Sequence, residues 1–126
     1  MGEHPKAAPV VLLDLDYTDG AFEIVLVNIG TDAVFDVGVS FSRELVGIGG
    51  SKVISNLPLW KHLHVLRPAR EIRVFFDSGP NVFRSGPHEP FSATVAWHIF
   101  TGERRSATYK HHFETYRDLP EITGRR

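Results

Sequence analysis

A chain of 126 residues with 14 Lys plus Arg against 15 Asp plus Glu, and a formal net charge of -1, carries no field that would gather nucleic acid or anionic lipid. It contains no cysteine, which excludes disulfides, thiolate zinc centres and a cysteine nucleophile. At 42% hydrophobic and 23% charged residues it has the composition of a single globular domain, long enough to bury roughly two thirds of its unfolded surface. The domain is expected to span residues 1–126, with an ordered core at about 10–119 and loose ends at residues 1–8 and 120–126. The opening MGEHPKAAP lacks the apolar run of a signal peptide, and no stretch approaches the roughly 18 apolar residues of a membrane span. These features point to the cytoplasm.

From residue 10 to 118 the apolar residues recur with period two, and the 3.6-residue pattern of an amphipathic helix is almost absent. Val11, Leu13, Leu15 and Tyr17 share one face of a first strand, Asp14 and Asp16 take the other, and Asp19-Gly20 supplies the turn. Phe22, Ile24 and Leu26 define a second strand, closed by the connection Asn28 to Asp32. In the third, Phe35, Val37, Val39 and Phe41 are expected to face inward, with Asp36, Gly38, Ser40 and Ser42 outward. Residues 43–58, broken by Gly47, Gly49, Gly50 and Pro58, read as loop and short edge strands.

A strand over 61–66 follows, then a turn at Arg67-Pro68-Ala69, then Ile72, Val74 and Phe76 alternating with Glu71, Arg73 and Phe75. Residues 77–90, DSGPNVFRSGPHEP, read as a long loop over one end of the fold. A last hairpin has Phe91, Ala93, Val95 and Trp97 inward on one arm and Ala107, Tyr109, His111 and Phe113 on the other. A three-residue turn there pairs Thr101 with Arg105 and sets His98 opposite Thr108. Seven to eight strands at this spacing predict an all-β, immunoglobulin-like antiparallel sandwich of two sheets.

The segments NIGTDAVFDVGVSF (28–41), HVLRPAREIRVFF (64–76) and the closing FETYRDL resemble the bacterial immunoglobulin-like modules of the adhesion-related CARDB type. Their usual text has an Asn-x-Gly turn, then Ala and a Val-rich strand, and later Leu-x-Pro-Gly-Glu before another strand. The similarity covers roughly residues 10–119. It departs at Ala69, where the family has Gly, and at Glu71, one position late. The resemblance implies a sandwich fold and, since such modules tend to occur in exported or membrane-tethered proteins, association with the envelope.

Candidate chemistry centres on WKHLHV, residues 60–65. On a strand Trp60, His62 and His64 share one face, and Leu63 and Val65, the better core residues, share the other, so the histidines are expected in solvent. A metal held there needs a third ligand. His98 and His112, also outward, fall four residues apart along the last hairpin, roughly 13 Å at about 3.3 Å per residue, too far for one ion. His111 shares its face with Tyr109 and Phe113 and reads as an imidazole at the core edge, bonded to a backbone carbonyl.

DLDYTDG misses the calcium-loop pattern, with its third Asp one position late and Val25 where a bidentate Glu is needed. GIGGSK matches no phosphate-binding spacing. Asp77 and Glu89 flank the long loop as solvated charges. No cofactor or metal is therefore expected, and no catalytic residue stands out.

The remaining signal is apolar surface facing outward at Trp60, Phe75 and Phe100, which together with His62, His64 and His98 forms the candidate interaction surface. The expected function is a non-enzymatic binding or assembly module that pairs with a protein partner or with itself, as a homodimer, through a sheet face or edge. Two alternatives are a carbohydrate-binding sandwich using Trp60 as a stacking platform and a metal-dependent enzyme using His62 and His64.

Overall fold

The structure is a computed structural model, and residues 8–119 are described here. The loose ends expected at 1–8 and 120–126 fall, apart from residue 8, outside the described residues. Strand β1 (Val11–Thr18) runs into β2 (Ala21–Asn28) through Asp19 and Gly20, both at positive φ, 54° and 76°. Two consecutive positive φ values make the tight mirror-image turn whose twist matches that of the flanking strands. β2 also pairs with β7 (Glu71–Ser78), giving a three-stranded sheet in the order β1-β2-β7. A bulge lies where Phe22 faces Asp77 and Glu23 faces Phe75, and the extra residue, Phe76, turns into the core at 3% exposure.

The second sheet is ordered β6-β3-β8-β9, from β6 (Leu63–Leu66), β3 (Val34–Phe41), β8 (Phe91–His98) and β9 (Arg104–His111). The sheets face one another as an immunoglobulin-like antiparallel sandwich of seven strands, as the period-two pattern predicts. One continuous core joins Val11, Leu13, Leu15, Phe22, Ile24 and Leu26 of the first sheet to Val34, Val37, Leu66, Phe91, Val95 and Trp97 of the second. Each fully buried large apolar side chain in it contributes about 1.5–3 kcal/mol.

A two-stranded ribbon, β4 (Val46–Gly47) with β5 (Lys52–Val53), occupies the glycine-rich stretch, in line with the short edge strands expected there. Among the described residues no helix is long and apolar enough to cross a membrane.

Four local expectations are corrected. Residues 77–90 are not all loop: α2 (Gly79–Arg84) begins there, with the Ser78 side chain accepting from Asn81 N–H. The strand expected over 61–66 starts two residues late, because Pro58–Lys61 forms one helical turn, α1. The last hairpin pairs His98 with Arg104 and Thr94 with Thr108. Its turn has the three residues expected but falls two positions earlier, at 100–102, closed by Ile99 N–H donating to Glu103 O and Gly102 N–H to Ile99 O.

The fourth concerns β3. Val34 is buried at 2%, whereas Phe35 is 36% exposed. Asp36 adopts φ of 52° inside a bulge that leaves Phe35 opposite His98 and Gly38 opposite Ala96. Two β3 residues, Asp36 and Val37, thus stand against Trp97 alone. One inserted residue switches which parity faces the core, so Phe35 points out while Val37 points in.

Candidate functional site

A sandwich of two open sheets has four edge strands, and unpaired edges invite strands of other chains. The β1 edge is shut. The carbonyls of Val11, Leu13 and Leu15 on β1 point away from β2, and each meets a side chain from the opposite sheet or the segment after it. Tyr109 Oη donates to Val11 O at 2.7 Å, His111 Nε2 to Leu13 O at 2.8 Å and Tyr116 Oη to Leu15 O at 3.2 Å. His111 therefore has the carbonyl partner expected of it. Burial pushes the Tyr109 and Tyr116 hydroxyls to higher pKa, with the nearby Asp14 and Asp16 adding to the effect at Tyr116. Both stay protonated donors.

The other side is open. β7 is covered at its C-terminal end, where Ile48 N–H donates to Phe76 O. At the other end β6 pairs only with β3. Between β6 and the start of β7 lies a groove of about 380 Å³ lined by Leu63, Val65, Leu66, Arg67, Arg70 and Ile72. Val65 is 50% exposed and lies in register with Phe35, so two apolar residues meet solvent beside an unpaired strand.

The same strand carries His64, and His62 immediately precedes it. His62, at the end of α1, is extended, and its Nε2 lies 3.0 Å from Asp36 Oδ1. The His62 and His64 rings pack with centroids 4.3 Å apart. One ligand atom from each of Asp36, His62 and His64 lies within 4.8 Å of the other two, and all three residues are exposed. From β8, His98 Nδ1 stands 3.9 Å from Asp36 Oδ2, shielded from solvent and without a hydrogen-bond partner. The hydrogen bond from His62 holds the Asp36 carboxyl below its usual range against an opposing desolvation, helped by the charges of His62, His98 and His64.

Of the residues singled out from sequence, His62, His64 and His98 come together, and Asp36 joins them unannounced. Trp60 does not. It is 1% exposed, its indole N–H donates to Ile54 O at 2.8 Å, and its ring packs edge-on against Phe41 at 5.3 Å. The helical turn of α1 inverts the facing that a strand would give, which removes Trp60 from the interaction surface. Trp97 is buried as well, at 2%, so neither tryptophan offers a face to a sugar ring. Phe75 and Phe100 are exposed as expected, at 46% and 74%. They lie elsewhere, Phe75 on β7 of the other sheet and Phe100 in the β8–β9 turn. His112 is apart from the cluster too, its Nε2 bonded to His88 O.

A second groove, of about 420 Å³, is lined by residues including Asp77, Asn81, Arg84, Ser85 and His88. Its Ser85–His88 contact of 3.2 Å is not an activated nucleophile. His88 Nε2 and Ser85 Oγ both donate to Val82 O, so that nitrogen is not free to take the serine's proton. Asp77 is 6% exposed. Burial raises its pKa, but hydrogen bonds from Asn81 Nδ2, Gly49 N–H and Ser78 N–H, with the Arg84 charge, outweigh that and leave it below the ordinary value.

No curated protein matches this chain. The family profile described as a domain of unknown function, DUF8453, matches residues 3–117, and the chain belongs to that family.

Proposed function

We propose that the protein is a non-catalytic binding module that associates through the β6 edge of its four-stranded sheet, and that its partner is the equivalent strand of a second copy. The observation that carries this reading is the asymmetry of the edges. β1 is sealed by three side-chain hydrogen bonds and β7 is covered where Ile48 meets Phe76. The remaining edge, β9, carries Arg104, Arg105 and Lys110, charges that discourage pairing. β6 has neither a covering strand nor a lysine, proline or bulge, its four-residue length being its one guard, and it exposes Val65 beside Phe35.

Antiparallel pairing of two β6 strands about a two-fold axis joins two four-stranded sheets into one of eight and satisfies both edges at once. The near-zero net charge opposes such contact little. Four residues of strand bury modest area, so the pairing belongs to the weak, transient class. The resemblance to adhesion-related modules, which often occur in tandem, agrees with a role in assembly.

Sedimentation equilibrium of the wild type and of Val65→Lys tests the proposal. Val65 is half exposed, so the lysine leaves the fold intact while placing a charge at the edge. A dimer in the wild type at high micromolar concentration, lost in Val65→Lys at unchanged thermal midpoint, is the expected result. A wild-type monomer throughout that range rejects pairing through this edge.

A further inference from the structure

We propose that Asp36, His62, His64 and His98 form a binding site for one divalent transition-metal ion of the zinc class. The inference goes beyond the pairing of β6 strands and stands on different groups, the side chains on the outer side of the sheet rather than its backbone edge.

Three elements converge on the site. β6 supplies His64, and the extended residue that joins α1 to it supplies His62, two positions away and with its ring packed against that of His64. β3 supplies the carboxylate from Asp36, which sits in a bulge at φ of 52°. β8 supplies His98. In a tetrahedral site with metal–ligand distances near 2.05 Å, donor atoms lie about 3.3 Å apart. His62 Nε2 lies 3.0 Å from Asp36 Oδ1 and a donor atom of His64 within 4.8 Å of both residues, which makes these three the nucleus of the site; His98 Nδ1, 3.9 Å from the second carboxylate oxygen, is the outer ligand and has to turn towards them.

A second observation is independent of the clustering. His98 Nδ1 is hidden from solvent with no partner, a condition that folded proteins rarely leave uncompensated, and a cation between it and Asp36 supplies the missing interaction. The donors also choose the ion. Three imidazoles and one carboxylate suit zinc and its neighbours, whereas calcium and magnesium ask for six or more oxygens. The ligands come from three adjacent strands and the residue that leads into one of them, so a bound ion staples β6, which pairs with a neighbour on one side only, to the rest of its sheet.

The test is isothermal titration calorimetry with zinc chloride on untagged, chelator-treated protein, alongside Asp36→Asn, His64→Ala and, as a control, His112→Ala. Asparagine tolerates the left-handed backbone at position 36, and the half-exposed or exposed histidines carry little of the core. One zinc per chain is expected, with affinity reduced at least tenfold, about 1.4 kcal/mol, in Asp36→Asn and in His64→Ala and unchanged in His112→Ala. At protein concentrations low enough for both to be monomeric, Val65→Lys should bind zinc like the wild type, which separates this site from the dimer. Absence of binding heat at millimolar zinc, or equal affinity in the wild type, Asp36→Asn and His64→Ala, overturns the proposal.

Discussion

Asn28 is the side chain on which the connections at one end of the sandwich depend. It is wholly buried. Its Nδ2 donates to Asp32 O and Leu66 O, both at 2.9 Å, and its Oδ1 accepts from Gly30 N–H at 2.8 Å. One amide thus ties the end of β2 to the β2–β3 connection and to the end of β6. Replacement by alanine leaves two carbonyls and one N–H without partners where water is scarce. At about 1 kcal/mol for each net hydrogen bond the loss is about 3 kcal/mol, a large part of the 5–15 kcal/mol that holds a typical domain.

With an unfolding entropy near 2.1 cal/mol/K per residue over 126 residues, that loss lowers the thermal midpoint by about 11 °C. Urea unfolding measures it directly. Asn28→Asp adds a discriminating arm. It keeps an acceptor for Gly30 but turns an anion towards two carbonyls, so its pKa rises on folding and its stability improves as pH falls and the carboxyl gains a proton to donate. An Asn28→Ala cost below about 1 kcal/mol, or an Asn28→Asp variant as stable as the wild type at neutral pH, refutes the assignment of this residue as the tie.

Gly47→Ala is expected to cost about 1–3 kcal/mol, because its Cβ would meet the Phe76 carbonyl and break the bond from Ile48 N–H to that oxygen. Gly38→Ala, whose nearest neighbour is Lys61 O at an ordinary 3.7 Å, should be neutral or slightly stabilising, and a matched pair of urea titrations decides. Asp77 sets an acid limit. Its folded pKa is depressed, so its contribution is fully present above the unfolded value near 3.9 and is lost as pH falls through the folded value. The urea midpoint should therefore drop between about pH 4 and lower values, and Asp77→Asn should lose roughly 2 kcal/mol at neutral pH and flatten that drop. An acid slope identical in the two proteins would locate the sensitive carboxylate elsewhere.

The alternation of oily side chains was enough to find the strands, since Val11, Leu13 and Leu15 on β1 and Phe91, Ala93, Val95 and Trp97 on β8 are buried as their parity requires. The Asp19-Gly20 turn was equally legible, because few residue pairs accept two positive φ values. Periodicity fails wherever the backbone inserts a residue or coils. Nothing in VFDVGVSF marks Asp36 as a bulge, and that residue alone decides that Phe35 is outside. Trp60 was misread because Leu57-Pro58 starts a helical turn, and proline at a first helical position is a usable signal. Ser78-Gly79-Pro80 before Asn81 carried the same kind of signal for α2, with serine as cap. The seal of β1 by Tyr109, His111 and Tyr116 lies beyond any local reading, since its partners are about a hundred residues apart.

The open edge and the imidazole cluster arise from the same two irregularities. α1 sinks Trp60 into the core and delivers the chain to β6 at His62, which keeps β6 to four residues and leaves it unpaired on its far side. The bulge in β3 holds Asp36 beside His62 and His64. A regular β3 would point Asp36 outward without the left-handed turn that aims it, and a regular strand through residue 60 would expose the tryptophan and lengthen the edge. The two sites use different groups of β6, side chains for the ion and backbone for the partner strand, so they do not compete. An ion that fixes β6 to β3 and β8 removes freedom that pairing would otherwise have to remove, and lost freedom is a main cost of association. Zinc occupancy and dimerisation should therefore reinforce one another, each by the same factor.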